Sequence, residues 1–357
     1  MPEATTSARV RRALSPRNIG AIYIFIALFV LFALWVPDTF LTKAVWRTLL
    51  DQGALTAMVA MALVLPLAAG AFNLAIGAEL GFGAILVAWL LAKQDVPVVP
   101  AIAGTVAVGC AIGAISGLLI TRARIDSFIA TLGMSSVLLA GISWVSGSQQ
   151  ILNLGSSFSD VATGQLLGLT YPVWMMLMIA LVLWYVTDRT AVGRRLHATG
   201  GNEAAARLAG VRTSRVIVLA LVACGGITAF AGTLATARIA TGDPTIGPAY
   251  LLPAYAAAFL GSTQFRGGRY NIWGTVVAVY VLATGVKGLQ LAGAPVWIPD
   301  LFNGLALLLA VGMAKFQGTA RRGGAVGRML ARPRTRSGAD QDSTTQDQPG
   351  AGPVSVP

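Results

Sequence analysis

The residues of this sequence that are able to do chemistry are few, and most of them interrupt long apolar runs. Glu79 stands inside one such run, Asp51 and Gln52 open another, and Thr131, Ser135 and Ser136 share a third at spacings of four and five. A carboxylate within an apolar span is costly, so Glu79 is expected to face a cavity rather than lipid. Asp51 and Gln52 admit two readings, as cavity lining or as a helix end at the membrane interface. The three hydroxyls can form a polar stripe along a pathway, but in membrane helices such groups also bond neighbouring helices or their own backbone. Asn73, in the polar break Gly70-Ala-Phe-Asn73-Leu-Ala-Ile-Gly77, and Ser116 add hydrogen-bonding groups at membrane depth. Catalytic chemistry finds little support. The single histidine, His197, has no acid or nucleophile at motif spacing and reads as a solvated surface side chain. No lysine follows a glycine, which excludes a Walker A loop, and no metal-ligand cluster is visible. Cys110 and Cys224 lie in separate apolar runs and indicate neither a disulfide framework nor a metal site.

The elements that must position these residues are membrane spans. Of 357 residues, 55% are hydrophobic and 11% charged, with a mean hydropathy of +0.72, a balance that excludes a soluble protein. The net charge of +12 then reads as membrane topology, not as a nucleic-acid surface. Ten spans are expected, near 19–36, 51–69, 79–92, 96–120, 127–145, 171–187, 216–236, 249–263, 272–285 and 297–315. The first is too long for a signal peptide and lacks a cleavage pattern, so it is read as retained. The break at 70–77 belongs to a class of interrupted span that lines a cavity. Gly104, Gly109, Gly113 and Gly117 fall near one helical face of the fourth span, which predicts close approach of a neighbouring helix. A polar, glycine- and serine-rich segment, 146–170, carries no lysine or arginine. The fold expected is an all-α polytopic membrane protein of about ten helices, some of them broken. A basic N-terminus at 1–18 precedes the membrane-spanning core at 19–317, and a tail at 318–357 has the composition of disorder.

Basic residues set the orientation. With the N-terminus inside, 21 lysines and arginines fall on the cytoplasmic side and five, Lys43, Arg47, Lys93, Arg238 and Lys287, on the other. Both termini are then cytoplasmic, and so is the charged loop at 188–215, which holds six arginines and the acids Asp188 and Glu203 between two apolar halves. Within it, Asn202 is positioned to cap a short helix over 203–209, with Glu203 in its first turn and Gly210 as terminator. A helix this short gains its order by packing against something. Lipid surface and a partner protein are both open at this point.

Four stretches give the chain a resemblance to the permease subunits of bacterial ABC sugar importers of the ribose, xylose and arabinose type, relatives of branched-chain amino-acid permeases. They are Ala69-Gly-Ala-Phe-Asn-Leu-Ala-Ile-Gly77, Gly113-Ala-Ile-Ser-Gly-Leu-Leu-Ile120, Ile125-Asp-Ser-Phe-Ile-Ala-Thr-Leu-Gly-Met134 and Ala198-Thr-Gly-Gly-Asn-Glu-Ala-Ala-Ala-Arg-Leu-Ala-Gly-Val211. The resemblance spans about 45–315. Where family members carry Gly-Gly-Ile-Asp-Leu-Ser-Val-Gly, this chain has Asn73 and Ala75 at the aspartate and serine positions; the Gly-x-x-Asn-Gly of the fourth span appears with Ser116. The resemblance implies that Gly200, Gly201, Asn202, Glu203, Ala205, Arg207 and Gly210 form a coupling segment seated in a groove of an ATPase subunit. It further implies a multi-pass protein of the bacterial inner membrane that is not itself an enzyme and holds no cofactor. ATP and Mg²⁺ would be bound by the partner, an ATPase subunit with two nucleotide-binding domains. Other implied partners are a secreted or lipid-anchored sugar-binding protein, a second copy of the chain or a homologous permease, and membrane lipid; nucleic acid is not among them. The translocation pathway would draw on Gln52, Asn73, Glu79, Ser116, Thr131, Ser135 and Ser136. Branched-chain amino-acid or nucleoside permeases are the nearest alternatives. An ion-coupled secondary transporter would need a relay of buried ionisable groups, of which Glu79 is the main candidate. A non-transporting scaffold would leave the broken spans without a purpose.

Overall fold

The computed structural model describes residues 20–264 and 269–312. The basic N-terminus at 1–18, Arg266 and the tail at 318–357 lie outside the described residues. Helices occupy all ten expected apolar stretches: α1 (Gly20–Trp35), α2 (Lys43–Ala68), α3 (Ile76–Gln94), α4 (Val98–Thr121), α5 (Ser127–Ser146), α7 (Tyr171–Trp184), α10 (Thr213–Ile239), α11 (Leu251–Gln264), α12 (Ile272–Leu291) and α13 (Ile298–Gly312). Among the described residues three more are shorter, α6 (Ser156–Thr163), α8 (Ala191–Gly201) and α9 (Glu203–Leu208), and a single helical turn spans Pro37–Phe40. Among the described residues seven helices are long and apolar enough to cross a membrane, counting α7 with the π-helical turn Tyr185–Arg189 that extends it. The protein is therefore an all-helical integral membrane protein. The segment at 146–170 is more ordered than its composition predicts. It holds α6, anchored by buried Phe158, and a two-residue hairpin of β1 (Gln165–Leu166) and β2 (Leu169–Thr170).

Two kinds of signal shape the helices. At their ends, side-chain oxygens accept orphan backbone N–H groups: Asp126 from Phe128 at 2.9 Å for α5, and Asn271 from Gly274 at 2.6 Å for α12. Between them, glycine permits backbone contact. The predicted stripe on α4 meets α10, with Gly109 against Gly225 and Ala229, Gly113 against Leu221, and Gly117 against Val218. Gly104 falls off this seam and meets only the tip of Leu90.

α10 is the centre of the bundle. It packs on α2, α3, α4 and α6, and its contact with α3 is again carried by small residues, Gly232 beside the Leu80 carbonyl and Gly83 beside Ala229. Helix α2 is the most deeply enclosed span, whereas α4, α5 and α7 turn large apolar side chains outward, among them Ile129, Val137 and Trp144 on α5. In a membrane those side chains need no protein partner.

Candidate functional site

The polar centre of the bundle is the break between α2 and α3. Helix α2 ends at Ala68 and is capped by Ala69; Gly70 follows with a φ of +84°, which suits a residue without a side chain, and the chain runs irregularly to Ala75 before α3 begins. Irregular backbone at membrane depth must have its amides satisfied from within the protein. Here α5 supplies the partners: the Ser127 hydroxyl accepts from the Phe72 amide at 3.2 Å, and the Thr131 hydroxyl accepts from Leu74 at 3.0 Å. Asn73 completes the set. Its Oδ1 accepts from the Ala75 amide at 3.1 Å, and its Nδ2 donates to both carboxylate oxygens of Glu79, at 3.1 and 3.2 Å, and to Cys224 Sγ on α10 at 3.4 Å.

Asn73 and Glu79 are 0% and 1% exposed, so this is a closed knot of hydrogen bonds inside the bundle. Asn73 thus holds a neighbouring carboxylate inside the bundle. Asn73→Ala is expected to cost about 3 kcal/mol, because the buried Glu79 loses its amide donor. Thermal unfolding of the detergent-solubilised protein measures this. Replacing both partners, Asn73→Leu with Glu79→Leu, should recover much of the loss. A double variant as unstable as Asn73→Ala would show that Glu79 is held by something other than Asn73.

The remaining candidates are dispersed. Ser116 is fully buried on the seam face of α4, and its hydroxyl lacks a hydrogen-bond partner among the described residues. Thr131 is buried, Ser135 half-buried and Ser136 exposed, where it donates to the Leu132 carbonyl of its own helix at 3.4 Å. These hydroxyls therefore do not share one environment.

Gln52 lines a cavity of about 170 Å³ between α2, α11, α12 and α13, in company with Thr56, Lys287, Gln290 and Asn303. Sequence reasoning missed the last three. Lys287 and Gln290, three residues apart in apolar α12, share a helical face, which is the signal that could have found them. Two amides, a carboxamide from α13, a hydroxyl and an ammonium can together hydrogen-bond several hydroxyl groups of a small solute. Beside Gln52, Asp51 is committed elsewhere. It pairs with Arg238 Nε at 2.9 Å and accepts from the Thr170 hydroxyl at 2.7 Å, which ties α2 to the end of α10 and to the hairpin.

The loop at 188–215 is built as two helices, of which only the second is predicted from sequence. Asn202 ends α8 and starts α9, and its Oδ1 accepts from the Ala205 amide at 3.0 Å. Gly210 terminates the segment with φ +81°. Glu203 and Arg207 form an i,i+4 ion pair, and Thr213 bonds both of them, accepting from Arg207 Nε at 2.9 Å and lying 3.1 Å from the Glu203 carboxylate. This clamps α9 onto the start of α10. Of α9 only Ala206 is buried, and Leu208 stands 92% exposed. Upstream, α8 sits against the core through two glycines. Gly193 abuts the Thr187 carbonyl, and Gly200 abuts the Ala68 carbonyl and the Gly70 amide at the end of α2. The exposed hairpin and the buried knot are thereby joined at Gly200 and Gly70, whereas a methyl group at Gly201 would meet open space.

Comparison with known proteins agrees with this architecture. The chain is 32% identical to the ribose import permease protein RbsC of Escherichia coli K12, over 80% of this chain and 91% of that protein. It is 31% identical to the L-arabinose ABC transporter permease protein AraH of Azospirillum brasilense, over 85% and 89%. To the D-allose transport system permease protein AlsC of Escherichia coli K12 it is 26% identical, over 87% and 95%. No solved structure matches. The model of the family described as branched-chain amino acid transport system / permease component matches residues 47–311, from α2 to α13, and the chain belongs to that family.

Proposed function

We propose that this chain is the membrane-spanning subunit of an ATP-driven importer in the bacterial inner membrane and conducts a monosaccharide or a similarly hydroxylated solute. The relatives compared above are named as ribose, L-arabinose and D-allose permeases, and a further relative as an autoinducer 2 permease. In this reading the ten helices of the expected spans each cross or enter the membrane, with both termini cytoplasmic. Separate ATPase subunits bind ATP and Mg²⁺, an extracytoplasmic binding protein delivers the solute, and a second permease subunit completes the pathway. The observation that carries the reading is the exposed helix α9, capped and clamped, on a hairpin whose other arm α8 is packed on the core and seated on the break of α2. A short helix held rigid with its apolar side chain pointing outward is suited to transmit a push from a docked partner. The cavity around Gln52 and Lys287 supplies weak hydroxyl-binding groups, as conduction requires a site the solute can leave.

Leu208 is the natural anchor for the ATPase. Leu208→Asp is expected to weaken co-purification with that subunit about tenfold or more, the order of magnitude of burying one leucine at an interface. The carboxylate would sit in solvent in the isolated permease, so its fold should be unaffected. Glu203→Ala and Gly210→Val, which release the clamp and strain the terminator, are expected to reduce uptake while ATP hydrolysis persists. Wild-type uptake at equal expression in all three variants would remove α9 from the mechanism.

A further inference from the structure

We propose that the cleft between α7, α8 and α10 is a binding site for an anionic diacyl phospholipid of the cytoplasmic leaflet, the leaflet being set by the orientation adopted above. The cleft has a volume of about 690 Å³ and is much the larger of the two cavities described. Its lining is divided by chemistry. The charged loop at 188–215 contributes Arg195, Arg212 and Arg215, and the spans contribute apolar side chains that include Leu183, Val186 and Leu219; no carboxylate is among the described residues that line it. The dimensions fit one leaflet. Along α10 the lining runs from Arg212, just before its first turn, to Ala223, eleven residues and about 16 Å at the helical rise. That is roughly half of a hydrocarbon core about 30 Å thick. The guanidinium groups thus stand at headgroup level and the apolar wall at the level of acyl chains.

Guanidinium groups bind phosphate bidentately, and three of them favour a headgroup with net negative charge over a zwitterion. Basic pockets between transmembrane helices on the cytoplasmic side take anionic headgroups for this reason. The walls need an occupant of the other chemistry: Leu219 is 63% exposed and Val192 half-exposed along the cleft. A diacyl lipid covers both the charged end and the apolar one. Gly210 and Val211 also line the cleft, so a bound lipid would brace the α8–α9 hairpin from behind while leaving Leu208 free.

The test uses the full-length permease purified with its ATPase partner in mild detergent and examined by native mass spectrometry. Exchange into phosphatidylcholine, with or without phosphatidylglycerol, precedes the measurement. The wild type is expected to retain phosphatidylglycerol in preference to phosphatidylcholine. The variant R195Q/R212Q/R215Q should retain it about tenfold less, since several charge-assisted contacts are lost. Leu219→Trp, which fills the apolar wall and leaves the arginines intact, should also reduce retention. Arg194→Gln, in the same loop but outside the lining, should leave retention unchanged. A soluble glycerophosphate headgroup should fail to displace the lipid, because it lacks the acyl chains. Equal retention by wild type and triple variant, or equal retention of the two lipids, overturns the proposal. So does a triple variant that keeps its lipid but loses the ATPase subunit, which would assign the arginines to protein docking.

Discussion

Gly113→Ala is expected to abolish accumulation of folded permease, while Gly104→Ala, on the same helix, leaves it unchanged or slightly raised. A methyl group on Gly113 would overlap the Leu221 carbonyl oxygen and stand 2.7 Å from its carbon and 3.0 Å from Val222 Cα. All three are backbone atoms of α10 and cannot swing aside as a side chain tip does. The helices must separate, and the neighbouring contacts of Gly109 and Gly117 with α10 are lost along with this one. Overpacking of a well-filled core costs about 1–3 kcal/mol, and a collision with backbone along a whole seam lies at or above the top of that range. About 3 kcal/mol is a hundredfold shift in a folding equilibrium, a large share of the total for a marginally stable protein. The same substitution at Gly104 meets only Leu90 Cδ1 at 3.9 Å and relieves the helix of a glycine, which favours folding by up to about 1 kcal/mol. Fluorescence-detected gel filtration of the two variants gives the comparison. Equal yields would mean that α4 and α10 do not depend on this seam.

The contrast between Gly113 and Gly104 marks how far the sequence could be read. Four glycines at intervals of five, four and four predict a smooth helical face, but only a structure shows that three of them meet α10 and one does not. Features written within a few residues were legible: the apolar runs, the cap at Asn202, the terminator at Gly210 and the break after α2. Glu79 was legible as a costly buried acid, and Asn73 as a hydrogen-bonding group six residues away. That the two bond to each other was not, since the break's path depends on Ser127 and Thr131 fifty-five and fifty-seven residues on.

Two features could not be assembled from local signals alone. Helix α8 has three glycines in eleven residues, a composition of poor helix propensity, and its order comes from packing: Leu196 is buried and Gly193 and Gly200 rest on the core backbone. The polar cavity draws Gln52, Lys287 and Asn303 from three helices far apart in sequence, and periodicity within one helix cannot place them together. Asp51 shows the converse. Read as either cavity lining or helix end, it proves to be half of an ion pair with Arg238.

The second large effect is expected at the joint between the hairpin and the core. Gly200→Ala should cut solute uptake about tenfold while folded yield and ATP hydrolysis remain close to wild type, and Gly201→Ala should behave as wild type. A methyl at Gly200 would overlap the Ala68 carbonyl and lie 2.9 Å from the Gly70 amide. Gly70 itself has φ +84° and sits with no slack against Gly200 Cα, so the break cannot yield by a side-chain adjustment. Helix α8 must lift from the end of α2. The hairpin keeps its own cap and its clamp to Thr213, and Leu208 stays available to the proposed ATPase contact, so the damage is expected in transmission and not in binding. Chains of packed contacts can carry coupling between sites, and a typical coupling free energy of about 1–3 kcal/mol corresponds to a 5- to 150-fold effect. The path at stake runs from Gly200 to Gly70, then through the amides of Phe72 and Leu74 held by α5 to Asn73, Glu79 and Cys224 of α10. That path links α2, α3, α5 and α10, so in the proposed mechanism a displacement at Gly200 is expected to reach the centre of the bundle. Gly201, adjacent and with open space around it, has the same residue type and the same exposure to solvent. If both glycines lose uptake equally, the sensitivity belongs to the hairpin's own conformation, and force enters the core by another contact.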